Sequence, residues 1–414
     1  MLKKIFSHTL IYGFAPHLPK LITLFIYPLL TENLTELDYG VTGIMASYLG
    51  VLLIFNTLGL RLILVNSFYH HRDHFVKRWR YVYGILRIWL ILFNFLQAIL
   101  LYFILPEEAS DNVLIIIALT VFPSMLFGPV GMIFSTYYQL KEKPLMVTSR
   151  SVIVGAVTVI ITYFTIVELK MGYMGWIWAS FFGSLLGGFM YWFHLHFKLK
   201  IKPIITYKPK IIRKYLKVSL PVVPHQYSIY LLDASDRLVM DQMNTSTEEI
   251  GKYNFAYGFG NYFSMFSMAI GLAIGPLLNQ KLKDQKFTDY RDVIFAIQLL
   301  FFAISFIVSL WCKEIFQILV NNDVLSSLYP LAIIIIMSYN YRPLYLAVSI
   351  RLLFYEKTNK LWRISFVAGI LNLCLNIILI PVFGYKVAAI TTFFALLFMG
   401  YSGFFLSVSQ DDSN

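Results

Sequence analysis

Apolar runs of roughly 20 residues recur along the whole chain, and this recurrence limits the possible folds more than any other feature. About 20 apolar residues are needed for a helix to cross about 30 Å of hydrocarbon. A membrane β-barrel would alternate polar and apolar residues, and Ile85–Leu105 and Leu328–Met337 do not. Only 14% of the 414 residues are charged, against about a quarter in soluble domains. We therefore predict an all-α integral membrane protein.

The apolar runs predict twelve transmembrane helices. Their expected ranges are 8–30, 40–66, 82–105, 112–138, 147–168, 174–197, 215–241, 250–280, 292–311, 325–350, 361–381 and 386–408. The chain then divides into an N-terminal six-helix bundle (1–197), a basic cytoplasmic linker (198–217), a C-terminal six-helix bundle (218–408) and a cytoplasmic tail (409–414). Because six is even, both halves enter the membrane from the same side, which predicts a parallel repeat.

The distribution of Lys and Arg supports this topology. With the N-terminus in the cytoplasm, 25 of the 34 Lys and Arg fall in segments predicted to face inward. The predicted outer segments hold only Lys170, Lys252, Lys313 and Lys386. A wrong helix count would destroy this contrast, so both termini are expected in the cytoplasm. The net charge of +12 is then explained by topology and by contact with anionic membrane lipid, and no nucleic-acid partner is expected.

Two stretches resemble each other and suggest the repeat. Ser219–Tyr257 is a Pro-broken, charged apolar span that ends in the acidic turn Glu248–Gly251. Near the N-terminus, a Pro-broken span that carries Lys20 ends in the acidic loop Leu37–Gly40. We expect two halves built on one plan, with a site between them.

Five cations remain within the predicted spans, and such groups are costly in hydrocarbon, so they mark candidate functional positions. They are Lys20, Arg61, Arg87, Arg237 and Arg342. Lys20 lies deepest, near the middle of its helix. Arg61 and Arg87 lie near helix ends and could extend to the interface instead.

The acids within the spans belong to predicted helix 7. Asp233 could neutralise Arg237 one turn away, and Asp236 lies beside that arginine. A structural salt bridge and a ligand-binding role both remain open for this cluster. The interior is cationic on balance, which favours an anionic substrate, and phosphate is the common one.

No motif indicates catalysis or a bound cofactor. The chain has no GxxxxGK[ST] phosphate loop, and no Ser/His/Asp or paired-carboxylate set stands out. The histidines in 70–74 lie in a basic loop without Cys or Glu partners, so we expect no metal site there. We therefore do not expect an enzyme.

Three segments resemble a known transporter family. They are Leu220-Pro221…Pro224-His225…Asp236-Arg237…Gly251-Lys252-Tyr253…Ala256-Tyr257, then Tyr27–Thr31…Leu37–Gly40, and Asn372…Asn376–Pro381…Phe383–Ala389. With the twelve-helix plan, they resemble the Wzx-type flippases of lipid-linked oligosaccharides, the O-antigen and capsule repeat units. Their superfamily also contains multidrug/toxin exporters and lipid II flippases.

This resemblance implies a V-shaped pair of bundles around a central cationic cavity in the bacterial inner membrane. The implied substrate is an oligosaccharide on undecaprenyl pyrophosphate, turned between leaflets by alternating access. The five intramembrane cations would face the pyrophosphate, with Lys20 the leading candidate. The energy source (proton, Na⁺ or membrane potential) stays open, as does contact with a polysaccharide polymerase and chain-length regulator.

Three alternatives compete with this interpretation. A cation-coupled drug exporter of the same fold should carry a strong intramembrane acid, whereas the deepest residue here is basic. A membrane glycosyltransferase or polysaccharide polymerase should have a large outer loop, whereas the longest loop here is basic and predicted to lie inside. A lipid II flippase usually has additional helices.

Overall fold

The computed structural model describes residues 18–70, 73–206, 208–355 and 358–408; the side chains of some residues in these ranges, Lys20 among them, are not described. In this part of the chain the secondary structure is helical throughout, without a strand. We number the helices α1 (Leu18–Glu32), α2 (Glu36–Thr57), α3 (Arg61–His70), α4 (Phe75–Ile104), α5 (Val113–Phe127), α6 (Val130–Leu140), α7 (Pro144–Tyr163), α8 (Tyr173–Phe193), α9 (Pro209–Ser219), α10 (Val223–Gln242), α11 (Thr247–Lys283), α12 (Phe287–Leu310), α13 (Cys312–Leu319), α14 (Asp323–Ser326), α15 (Tyr329–Ser338), α16 (Arg342–Phe354), α17 (Thr358–Phe383) and α18 (Val387–Val408). Short 3-10 or π-helical turns follow several of them.

Seven helical segments of the described chain are long and apolar enough to cross a membrane. They are Glu36–His70, Phe75–Ile104, Glu107–Phe127, Pro144–Glu168, Phe287–Leu310, Tyr329–Phe354 and Trp362–Phe383. Leu21–Glu32 and Val387–Ser402 are shorter apolar helices. The predicted all-α membrane fold is therefore confirmed, and the count of twelve stays a prediction.

The chain forms two compact units. The first contains Leu18–Ile26 and Ile44–Tyr227, and the second contains Tyr27–Gly43 and the described part of Ser228–Asn414. The segment predicted as a linker, 198–217, belongs to the first unit. There the Ile204 amide donates to the Arg80 carbonyl (2.9 Å), and the Arg80 side chain donates to the Lys202 carbonyl (2.9 Å).

The core of the first unit lies between α3, α4 and α6, around the fully buried Trp79. The Trp79 indole donates to the Leu64 carbonyl and to the Ser67 hydroxyl, at 3.0 Å each. The turn between α2 and α3 depends on Gly59, which has a φ of +67°. A Cβ there would lie 2.3 Å from the Ser219 carbonyl oxygen, so a larger residue would separate this turn from the end of α9.

In the second unit, the helix that runs through α15 and α16 is interrupted by a 3-10 turn at Tyr339–Tyr341. Pro343 follows this turn, and proline lacks the amide that an unbroken helix would use. Neighbouring side chains satisfy the interrupted backbone, since Gln298 donates to the Asn340 carbonyl (2.7 Å). Ser305 donates to the Asn340 side chain (2.6 Å). The sequence prediction of one continuous helix over 325–350 missed this break.

Helices α2 and α11 begin with the same local structure. The Asp38 amide donates to the Thr35 hydroxyl (3.4 Å), and the Glu249 amide donates to the Ser246 hydroxyl (3.3 Å). Both are [Ser/Thr]-x-x-[Asp/Glu] caps, and their acids also favour the positive end of the helix dipole. The acidic residues near Gly40 and Gly251 therefore lie in first helical turns, whereas the sequence analysis placed them in loops.

Candidate functional site

A groove of about 580 Å³ lies inside the first unit, between α2, α4, α5, α6, α7 and α8. Small residues on α6 and α8 make room for it, because Gly131, Gly183, Gly187 and Gly188 all line it. The tight packing of α8 against its neighbours uses the same residues. A Cβ on Gly183 would lie 2.3 Å from the Thr158 hydroxyl. The groove therefore exists because glycines keep these helix faces free of side chains.

The groove wall is rich in neutral hydrogen-bonding groups. Hydroxyls come from Thr120, Ser124, Thr158, Ser180 and Ser184, and amides come from Asn56 and Gln97. Gln97 is only 5% exposed, and its Oε1 has no hydrogen-bond partner in the described chain. The buried Oδ1 of Asn56 likewise has none. A buried acceptor without a partner costs about 1–3 kcal/mol, and because both oxygens are themselves buried, the side chains have to rotate before a ligand in the groove can donate to them.

The groove has a cation at its edge. Gly128 lines the groove in a left-handed conformation (φ +59°), and a Cβ on it would lie 3.2 Å from Nη1 of Arg87. The Arg87 side chain is half-buried. Within the described residues its guanidinium has no hydrogen-bond acceptor and no carboxylate partner. An arginine of this kind can bind a phosphate or carboxylate with two parallel hydrogen bonds.

A second polar cluster lies inside the second unit, around Asp236 of α10, which is fully buried. Its carboxylate accepts hydrogen bonds from Tyr253, from Asn372 (2.8 Å), from Asn376 (2.6 Å) and from Thr392 (2.8 Å). Four donors from α11, α17 and α18 thus converge on one charge. Such a fully bonded carboxylate ties four helices together and leaves little capacity for a ligand.

The cluster also contains two arginines. Arg342 forms an ion pair with Asp233 and donates to the Ser264 hydroxyl (3.1 Å). Arg237 donates to the Asp233 carbonyl (2.9 Å), and its guanidinium lies 4.4 Å from the centre of the Tyr257 ring. Two acids and two arginines make the cluster neutral overall.

The cluster differs from the pairing expected from the sequence. The carboxylate of Asp233 contacts Arg342, 109 residues later, and Arg237 donates to the Asp233 carbonyl. Asp233 therefore forms its ion pair with a residue distant in the sequence and not with Arg237, one helical turn away. The side chains of Arg342 and Asp233 are 17% and 34% exposed, so this pair is the accessible part of the cluster.

Comparison with known proteins identifies the family. The family model described as "Polysaccharide biosynthesis protein" matches residues 1–282. The chain belongs to this family. Among curated proteins, no sequence matches this polysaccharide biosynthesis protein.

Several solved membrane transporters are similar to it in structure. A lipid II flippase, MurJ, in an inward closed conformation has a TM-score of 0.75 at 16% identity, covering 96% of this chain and 87% of that one. An inward-facing multidrug resistance transporter of the MATE family has a TM-score of 0.68 at 11% identity, covering 98% of each chain. A MATE transporter of Vibrio cholerae has a TM-score of 0.61 at 12% identity, covering 100% and 97%. These likenesses show the fold, which is that of the MATE and MurJ transporters.

The predicted site residues of this chain lie in different places. Arg87 lies beside the groove of the first unit, whereas Asp233, Asp236, Arg237 and Arg342 form the cluster of the second unit.

The two remaining predicted cations lie elsewhere. Arg61 is exposed at the start of α3 and donates to Gln139 (2.6 Å), as expected of a cation near a helix end. Lys20 belongs to α1, but its side chain lies outside the described residues, so its assignment remains a prediction.

The neutral amides of the groove were missed by the sequence analysis. Intramembrane charges were the basis of the site prediction, and Asn56 and Gln97 carry none. Their signal was nevertheless present, because an amide inside an apolar span needs a partner just as a charge does. Asn94 and Gln97 are also spaced three residues apart on α4, which places both on one helix face.

Proposed function

We propose that this protein is a flippase that moves undecaprenyl-pyrophosphate-linked oligosaccharide repeat units from the cytoplasmic to the outer leaflet of the bacterial inner membrane, by alternating access. The observation that carries the proposal is the groove of the first unit, which is lined by hydroxyls and by the amide side chains of Asn56 and Gln97, with Arg87 beside its lining residue Gly128. Sugar hydroxyls can donate to the amides, and a phosphate can accept from the guanidinium.

The shape and chemistry of the groove fit a glycan better than an organic cation. The aromatic side chains of Tyr191 and Phe127 line it together with several glycines, and aromatic rings are common partners of sugar rings. The described lining contains no carboxylate, which a site for a cationic drug would need. Membership in a polysaccharide biosynthesis family supports the same substrate class. A polysaccharide polymerase and a chain-length regulator would then act on the translocated units.

A flipping assay with purified protein tests the proposal. The protein is reconstituted in vesicles with a lipid-linked oligosaccharide that carries a fluorescent sugar, and loss of fluorescence to an impermeant quencher reports translocation. We expect Arg87→Ala and Gln97→Leu to slow flipping about tenfold or more, the size expected from one lost charged or buried hydrogen bond. The matched control is Lys77→Ala, since Lys77 is an exposed cation on the same helix, α4.

Deleting the gene in its host provides a second readout. Lipid-linked repeat units should accumulate in the cytoplasmic leaflet and should disappear when the wild-type protein is restored. Unchanged amounts of these units, or normal flipping by both variants at wild-type protein levels, would contradict the proposal.

A further inference from the structure

A second cavity, of about 540 Å³, opens in the second unit far along the sequence from the groove. It lies where helices begin or end: Lys252 is in the first turns of α11, Phe383 ends α17, and Lys386 precedes α18. Its remaining wall comes from α14, α15 and the turn between them, 324–334. Tyr329–Phe354 and Trp362–Phe383 are long and apolar enough to cross a membrane, and a cavity at the ends of such helices is expected at the depth of lipid headgroups.

The cavity is amphipathic. Phe383, Val324 and Ile390 line it and are 67%, 46% and 42% exposed, as expected of side chains that face lipid tails. Lys252 is half-buried and Lys386 is exposed. In the described chain, neither lysine has an ion-pair or hydrogen-bond partner.

The charges in this cavity all have one sign. No carboxylate is among the described residues that line it. Two cations therefore lie at the rim of an apolar wall, and the nearest acids in the sequence, Glu248 and Glu249, lie one turn before Lys252 on α11 and outside the lining. An anion that also carries apolar chains would match both the lysines and the largely hydrocarbon wall between them.

We infer that this cavity is a binding site for an anionic phospholipid of the surrounding bilayer. The lipid phosphate lies between Lys252 and Lys386, and an acyl chain lies along Phe383, Ile334 and Ile390. Free phosphate would satisfy the lysines but leave the apolar wall uncovered. The inference does not depend on the proposed transport activity, and a bound lipid would join the starts of α11 and α18 to the end of α17.

Native mass spectrometry of the full-length protein in detergent tests this site. Phosphatidylglycerol and phosphatidylcholine with identical chains are the probes, and the amount of each that stays bound is measured. We expect Lys252→Ala and Lys386→Ala each to lower phosphatidylglycerol retention about fivefold, which is the effect of one basic residue near an anionic lipid surface. The double variant should lower it more than about tenfold. The control is Lys313→Ala, an exposed lysine of α13 that does not line the cavity.

A photoactivatable phosphatidylglycerol gives the location independently of any variant. Its crosslinks should map to 324–334 and 383–390. Equal retention of the two lipids, equal loss in Lys313→Ala, or crosslinks elsewhere would overturn the inference. Displacement of phosphatidylglycerol by inorganic phosphate would assign the cavity to a soluble anion. Its displacement by an equimolar polyprenyl pyrophosphate would assign the cavity to the carrier lipid. Either result would also overturn the inference.

Discussion

Gly40 and Gly251 are each the fifth residue of a helix, and each lies against the start of the other's helix. A Cβ on Gly40 would lie 2.0 Å from the Thr247 carbonyl oxygen, and a Cβ on Gly251 would lie 1.8 Å from the Glu36 carbonyl oxygen. Glu36 and Thr247 are the first residues of α2 and α11. The two contacts are reciprocal: the fifth residue of each helix lies against the first residue of the other. Such a reciprocal contact has twofold character. The crossing of α2 and α11 is thus what an internal repeat predicts.

Alanine at either glycine should destabilise the protein, because backbone atoms of the opposite helix occupy the space of the new methyl group. We expect Gly40→Ala and Gly251→Ala to cost about 1–3 kcal/mol each, as overpacking does. Gly258→Ala is the control: it lies in the same helix as Gly251, and nothing lies within 4 Å of its added Cβ. That variant should be neutral or slightly stabilising, since alanine favours helix by about 1 kcal/mol. Thermal unfolding in detergent compares the three, and equal midpoints would exclude the tight crossing.

The buried carboxylate of Asp236 should be a stability determinant. In Asp236→Asn an amide would face four donors, so at least one of them would lose its acceptor, and the neighbouring Arg237 would lose an adjacent negative charge. We expect a loss of about 3–5 kcal/mol, the cost of breaking a buried charge network. Folded yield and unfolding temperature are the measurements. Glu314→Gln, at an exposed carboxylate of α13, should change neither, and a normal Asp236→Asn protein would show that the network contributes little.

A double-mutant cycle tests the ion pair of the second cluster. Asp233→Asn and Arg342→Gln, alone and together, should give a coupling energy of about 1–3 kcal/mol, because the pair is partly buried and shares its network with Arg237. The pair of Lys281 and Asp289, at 2.5 Å, serves as the control because its acid is 45% exposed. There the coupling should stay below about 1 kcal/mol. Equal couplings in the two cycles would mean that burial adds nothing at Arg342.

The sequence predicted the membrane class well, because that class depends on periodic features that many residues share. Apolar runs indicate helices directly. The acidic residues followed by Gly40 and by Gly251 indicated two helix starts that pack against each other in the same way. The helix starts were misplaced by a few residues. The reason is local, since the caps at Thr35 and Ser246 draw the acids into the first turn, where the sequence analysis had read a loop.

Tertiary pairing could not be predicted in the same way. Asp233 had a plausible partner one turn away in Arg237, and nothing in the local sequence indicates that Arg342 is closer in space. The groove was missed for a related reason. It is made by glycines on several helices whose faces meet only in the folded bundle, and its polar wall is neutral.

Substitutions that fill the groove but keep the helices in place can separate an effect on transport from an effect on stability. Gly131 lines the groove, and a Cβ on it would meet only the Tyr191 ring at 3.6 Å, an ordinary contact. Gly131→Ala should therefore fold and flip substrate normally. Gly131→Leu should also fold, but it should lose at least about 90% of its flipping rate, because a branched side chain occupies the space that a sugar ring would need. Gly275→Leu, in α11 of the second unit, adds the same side chain where the nearest atom to a new Cβ is 4.0 Å away, and it should leave the rate unchanged. The vesicle assay and unfolding temperatures measured on the same preparations distinguish the two effects. If Gly131→Leu were stable and fully active, the substrate would have to pass outside the groove, and the glycan site would lie elsewhere in the protein.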